Sequence, residues 1–328
     1  MTPADDGHVP ARQRGLRDHN LGLALRKVAA SAEPVSRADI AAQTGLTRST
    51  TSTLVDALVA GGLVLELGPG ARSGAGRPAT GLVVDPGGAA GMGLEVGVDY
   101  LAGCIVDLAG RVRHREVVVG DQRGRTPQAA LADLAGLAGR ALASAGATGL
   151  PVTGAAVAVP GLVESPDGLL RLAPNLGWQD VDVLGLLRAH PGLDDLPLTL
   201  DNEANLAALG ELHTGGAGGA QSFVQLSGEI GVGAGIVLGG RLFRGTHGWG
   251  GEIGHLAIAP DGPPCGCGSR GCLEQLAGQE AILRAAGLST QAGTTMAGRA
   301  GVDEILALAR DGRPDMLGAL AQAGCALG

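Results

Sequence analysis

Between Leu16 and Ala30 the apolar residues Leu21, Leu25 and Val28 recur at the spacing of one helical face, which predicts a first helix. Ser36 is placed to cap a second helix over Arg37–Gln43, with Ile40 and Ala41 turned inward. Gly45 breaks that helix. Thr47 can cap a third, running to about Ala60, with Leu54, Val55 and Leu58 facing a core. After Gly61-Gly62, two short strands are expected at Leu63–Leu67 and Gly81–Val84, joined by a Gly/Pro/Arg-rich hairpin tip. Asp85-Pro86-Gly87-Gly88 marks a boundary. Beyond it, strand patterns fall at Gly93–Val98, Leu101–Asp107 and Arg111–Val119, followed by an Ala/Leu-rich helix over Pro127–Ala145. A buried strand at Val152–Val159 runs into Pro160-Gly161. Then come a helix at Asp182–Ala189, a strand at Leu198–Leu200 and a helix at Asn202–Leu212. Strands at Ser222–Leu226 and Gly233–Leu238 lead to a cysteine-bearing loop and further helices. Residues 1–15 read as a disordered tail. Strands alternating with helices, without a solenoid period, predict an α/β fold.

Composition narrows the class. The 328 residues suffice for about two domains. With 45% hydrophobic and 17% charged residues, the chain is core-forming and not disordered. Its 59 glycines follow no G-X-Y period, which excludes collagen, and with five aromatic residues the core must be built from Ala, Val, Leu and Ile. The net charge of -8 is uneven: residues 10–84 carry nine basic and five acidic side chains, +4, so the remainder sums to -12. A basic module on an acidic body suits a nucleic-acid-binding head on a small-molecule domain. The polar, acidic start (Met1 to Asp6) predicts no signal peptide, and no apolar run reaches the ~18 residues of a membrane span. Three of the five cysteines lie between 265 and 272, which fits metal ligation in a reducing cytoplasm better than a disulfide framework.

The stretch Ile40 to Thr50 has the layout of a helix-turn-helix: small Ala41 where helices cross, Gly45 at the turn, then Leu46 as a buried residue. The next helix would present Arg48, Ser49, Thr50, Ser52 and Thr53 to a major groove. The hairpin tip, with Arg72 and Arg77, would form a wing, and Gly76-Arg77-Pro78 sets an extended arginine suited to a narrow minor groove. An ordinary three-helix packing unit is the alternative; the order helix, turn, helix, basic wing within a positive segment favours double-stranded DNA.

His255, Cys265, Cys267 and Cys272 offer one imidazole and three thiolates, a closed tetrahedral set for structural zinc. Gly266, Gly268 and Gly271 let the chain curl around an ion, and four protein ligands leave no position for an activated water. The alternative is reduced cysteines in a glycine-rich loop. Cys104 and Cys325 read as small core residues. Around the loop, Asn202, Glu203, Glu252 and Glu274 supply the convergent donors and acceptors that vicinal hydroxyls need, although each acid alone could be solvated or a helix cap. His255 could hold the metal through one nitrogen and a hydroxyl through the other.

Ala158 to Val163, Pro174 to Trp178, Asn202 to Asn205, Gly251 to His255 and the cysteine loop through Glu274 together resemble the ROK family of repressors, open reading frames and sugar kinases, over residues from about 86 to the end. The resemblance implies an actin-like, ribonuclease-H-like two-lobed fold behind a winged helix-turn-helix head. The expected domains are then 16–85 for DNA and 86–328 for sugar, with lobes at about 86–200 and 201–328. Gly161 and Asn175 would add sugar contacts from the first lobe to those of Asn202, Glu203, Glu252, His255 and Glu274. The chain stops within an apolar helix, where the family normally continues, so an incomplete second lobe is expected. Sugar-responsive repressors of this type act as homodimers or larger assemblies.

The resemblance also supplies an alternative, an ATP-dependent sugar kinase carrying a DNA-binding head. Against it stand three departures. Where the family's kinases have an Asp-x-Gly-Gly-Thr hairpin, this chain reads Glu95-Val96-Gly97-Val98-Asp99. Gly228-Glu229-Ile230-Gly231 likewise sets an acid where a second phosphate loop would lie. Glu203 aligns with the catalytic aspartate but is one methylene longer, which misplaces a general base. The expectation is a non-enzymatic sensor.

Overall fold

The computed structural model describes residues 13–68, 80–165, 167–216, 218–228, 230–288 and 299–328. It opens on three helices, α1 (Gln13–Ala29), α2 (Arg37–Thr44) and α3 (Arg48–Ala60), and an antiparallel pair, β1 (Val64–Leu67) and β2 (Gly81–Val84). α1 begins three residues before Leu16, inside the stretch read as a tail. Ser36 caps α2 through a reciprocal pair: its hydroxyl accepts from the Asp39 amide and the Asp39 carboxylate accepts from the Ser36 amide. The turn into α3 needs φ +72° at Gly45, whose amide closes α2 on the Ala41 carbonyl. Thr47 caps α3 by accepting from the Thr50 amide at 3.2 Å. Leu46 is only half-buried, so the turn is held by these caps more than by that side chain. Val35 bridges Leu82, extending the wing sheet, and Ala24, Val28, Ile40, Val55, Leu58, Val64 and Leu82 close a core common to all five elements.

The chain continues through β3 (Ala90–Val96), β4 (Tyr100–Asp107), β5 (Val112–Val119), α4 (Pro127–Ala147), β6 (Val152–Val159), β7 (Leu162–Glu164), β8 (Leu169–Ala173), β9 (Trp178–Val181), α5 (Val183–Arg188), β10 (Leu198–Asn202) and α6 (Glu203–Thr214). Next come β11 (Phe223–Ser227), β12 (Gly233–Leu238), β13 (Arg241–Leu242), a 3-10 turn at Ile253–His255, and α7 (Glu274–Ala277), α8 (Gln279–Ala285), α9 (Arg299–Arg310) and α10 (Pro314–Leu327). Five strands form one sheet in the order β10-β6-β3-β4-β5, with β10 parallel to β6. Two three-stranded antiparallel sheets, β7-β8-β9 and β11-β12-β13, complete the body. Sequence patterns gave no sign of β7 to β9.

The chain packs as two compact units. One holds the described residues up to Met92 with Cys104–Arg115 and Ala141–Gly154; the other holds Gly93–Gly103, Glu116–Arg140 and the residues from Ala155 on. In the second unit, α6 lies on the β11-β12-β13 sheet. Helices α7 to α10 share apolar contacts through Leu273, Ala277, Leu283, Ile305, Met316, Ala319 and Ala323. Among the described residues no helix is long and apolar enough to cross a membrane.

Candidate functional site: a carboxylate-lined cleft beside a Cys3His cluster

The cleft of the second unit is built where strands end. β10 runs into α6 at Asn202, whose side chain accepts from the Ala204 amide and so caps the helix. The other arm of the Asn202 amide donates to the Gly161 carbonyl at 3.1 Å and to Glu203 Oε2 at 2.6 Å. Asp201 lies beneath. Its carboxylate accepts from the Asn202 amide, from Asn205 Nδ2 and, on the other oxygen, from Arg244 Nε and Nη2 at 3.0 and 2.7 Å. Arg244 thereby ties the loop after β13 to the end of β10. The same loop is pinned where the Ser165 amide donates to the His247 carbonyl, and it carries the Trp249 ring against His247 with centroids 5.3 Å apart.

At Gly251 the chain turns with φ +103°, and a Cβ there would come within 1.9 Å of the Ala234 carbonyl oxygen. Only glycine fits, and the bend delivers Glu252 to the cleft. Gly161, Asn175, Asn202, Glu203, Glu252, His255 and Glu274 all line one cleft of about 720 Å³. The structure thus brings together all seven side chains or backbone positions expected around a sugar. It adds Trp249, which sequence reasoning passed over although one aromatic two residues before Gly251 was a usable signal. Within Pro174 to Trp178, Asn175 alone opens to the cleft with Pro174; Leu176 and Trp178 are core, the Trp178 indole donating to the Arg125 carbonyl. Glu252 faces the open cleft, yet the protein around it lifts its carboxyl above the ordinary carboxylate range; His255 opposes that shift and Glu274 adds to it.

The ligand atoms of His255, Cys265, Cys267 and Cys272 lie within 4.8 Å of one another. Cys267 and Cys272 sulfurs are 3.6 Å apart, and Cys265 Sγ is 3.5 Å from His255 Nδ1. A tetrahedral ion with metal–sulfur bonds of about 2.3 Å separates its sulfurs by about 3.8 Å, so the donor set fits a metal with little movement. Nδ1 is the imidazole atom turned to the sulfurs, which leaves Nε2 for the cleft. Glu274 Oε1 touches both groups, accepting from the Cys265 thiol at 3.0 Å and lying 3.5 Å from His255 Nδ1. Burial first, then the Glu274 contact, pushes the Cys265 thiol up to about 12 despite an opposing backbone amide at Cys267, whereas the Ser269 amide holds Cys267 below the ordinary thiol value. A metal bound there would have to displace the Cys265 proton.

The hairpin between β3 and β4 carries Val98 and Asp99. Val98 is buried at the cleft wall and its carbonyl accepts from the Gln122 amide; the Asp99 carbonyl accepts from Gly120. Ile230 and Gly231 line the cleft too, while Glu229 lies outside the described residues.

On the head, Arg48, Ser49, Thr50 and Thr53 are exposed on the first turns of α3 and Ser52 is half-buried. Three of these hydroxyls are engaged locally, Ser49 and Thr50 with Thr47 and Thr53 with the Ser49 carbonyl. Arg72 and Arg77 lie outside the described residues.

Known proteins place this architecture. The ROK family model matches residues 91–323, and the chain belongs to the ROK family. The IclR helix-turn-helix domain model matches residues 24–67. The chain is 30% identical to the xylose repressor of Bacillus subtilis (strain 168) over 279 residues, covering 84% of this chain and 69% of that protein. It is 40% identical to the glucokinase of Halalkalibacterium halodurans over 134 residues, 40% of each chain. A solved ROK family transcriptional regulator, described as a homolog of the E. coli MLC protein, superimposes with a TM-score of 0.76 at 28% identity, over 95% of this chain and 78% of that one. The chain spans 61 to 69% of the length of the xylose repressors it matches. A helix-turn-helix head joined to a sugar-kinase-like α/β body is the fold class expected from the sequence.

Proposed function

We propose that the chain is a sugar-responsive DNA-binding repressor of carbohydrate genes, with DNA contacts from residues 16–85 and sugar recognition from 86–328. The observation that carries this reading is the coexistence of a helix-turn-helix head with a cleft in which seven sugar-suited positions converge, in a chain similar to proteins named xylose repressors. Asn202, Glu203, Glu252 and Glu274 would accept and donate to hydroxyls, Trp249 would offer an aromatic face to the C–H side of a ring, and His255 Nε2 would take a further hydroxyl. His255, Cys265, Cys267 and Cys272 would hold zinc, which braces the loop and fixes the imidazole tautomer. Arg48, Ser49, Thr50, Ser52 and Thr53, with Arg72 and Arg77 of the wing, would meet operator DNA. A cytoplasmic homodimer would place two heads on half-sites about one helical turn apart. Sugar binding would stabilise one arrangement of the body and change the operator affinity of the pair.

The sensor reading is non-enzymatic: Val98 and Asp99 occupy the hairpin where a triphosphate would need glycine and a hydroxyl. The glucokinase-like stretch favours the second reading, a kinase with a DNA-binding head. A panel of monosaccharides decides between them. The sensor raises its melting temperature with one sugar and releases operator DNA with the same sugar. ATP-dependent phosphorylation of that sugar, abolished by Glu203→Gln, would establish the kinase instead.

A further inference from the structure

The recognition helix carries an acid on the face that would meet DNA. Ser49, Ser52, Thr53 and Asp56 stand three, four and seven residues apart and share one side of α3. A second acid, Glu66, lies on the wing strand β1. Left alone, both would repel a phosphate backbone. Neither is alone. Arg37, the first residue of α2, reaches across both: Nη1 donates to Asp56 Oδ1 at 2.7 Å and to the Ser52 carbonyl at 3.3 Å, and Nη2 donates to Glu66 Oε1 at 2.5 Å. Its side chain is 31% exposed, while those of Asp56 and Glu66 are 66% and 39% exposed, so the acids are at the surface and the arginine is tucked between them. A planar fork with several donors can hold two carboxylates and a carbonyl at once, which a lysine ammonium cannot do with the same geometry.

Resting on the DNA-binding reading above, we propose that Arg37 is a positioning residue of the DNA-binding surface: it draws Asp56 and Glu66 into ion pairs at the seam between recognition helix and wing, so that neither carboxylate opposes the phosphates. The role is electrostatic and geometric together, because the same three contacts fix β1 against α3. The stability contribution of such exposed pairs is small, so loss of Arg37 should register in DNA affinity far more than in folding.

The test uses the full chain and a duplex enriched by it from a random-sequence pool. Failure to enrich any duplex removes the DNA-binding reading itself and this role with it. Given a duplex, Arg37→Met lowers affinity roughly tenfold at low salt, and the deficit narrows as salt screens the exposed acids. Adding Asp56→Asn and Glu66→Gln to Arg37→Met restores binding to within about threefold of the unaltered chain, on the same scale. Arg37→Lys falls between. Two results would overturn the role: Arg37→Met binding as tightly as the unaltered chain, or the triple variant staying as weak as Arg37→Met, which would make Arg37 a direct DNA contact or a folding residue. If Arg37→Met does not fold, Asp56→Asn with Glu66→Gln in the presence of Arg37 decides the matter, since the role requires equal or tighter binding and weaker binding refutes it.

Discussion

The head and the cleft solve recognition in opposite ways. In the cleft, polar groups arrive from the turn after β6, β10, the loop after β13, the cysteine loop and α7, and contacts distant in sequence steady several of them: Gly161 accepts from Asn202, Arg244 holds the neighbouring Asp201, and Cys265 donates to Glu274. On the head, the candidate contacts among the described residues sit on one short helix, its hydroxyls bonded to their own turn and its one acid paired from α2. A cleft of convergent groups depends on long-range scaffolding, so its residues fail together. A helix face depends on caps and local charge, so its residues fail singly.

That contrast can be attacked at its strongest point first. Cys272→Ser should abolish stoichiometric zinc and the sugar-dependent rise in melting temperature, while leaving helix content and DNA affinity of the sugar-free chain close to the original; metal analysis with thermal shift checks it. Parallel loss of DNA binding would mean that the two regions do not fail separately.

A middle-sized effect is expected at the scaffold of the cleft. Arg244→Leu leaves the Asp201 carboxylate with two neutral donors in place of four, at a cost of about 1.5–3 kcal/mol, the range for hydrogen bonds to charged groups. Pairing it with Asp201→Asn should recover much of that loss in urea unfolding, because no buried charge is then left unpaired.

The smallest effect belongs to the head. Thr47→Ala removes the acceptor for the Thr50 amide and should destabilise by about 1 kcal/mol. Urea titration of the full chain should register it with sugar affinity unchanged. A change in sugar affinity would break the comparison from the other side.

Much of this was legible in the sequence, and for identifiable reasons. Ser36, Thr47 and Asn202 announced three helix starts, because a capping oxygen acts on amides two or three residues away. The convergence of His255 with the three cysteines followed from ligand chemistry and local glycine freedom. β7 to β9 were not legible: strands of three to five residues carry too little periodicity, and these are held by one another, with a register shift between Leu162 and Val163. Arg37 and Arg244 were equally silent. Each acts on residues 15 to 43 positions away, and nothing within a local window marks an arginine as a bridge.

Gly251 sets a rule for anyone who would retune this cleft. Its backbone angle and the carbonyl of Ala234 exclude every other side chain, so libraries aimed at a new effector should hold that codon invariant. Diversity is better spent at Asn175 and Trp249, which border the same space without carrying the bend.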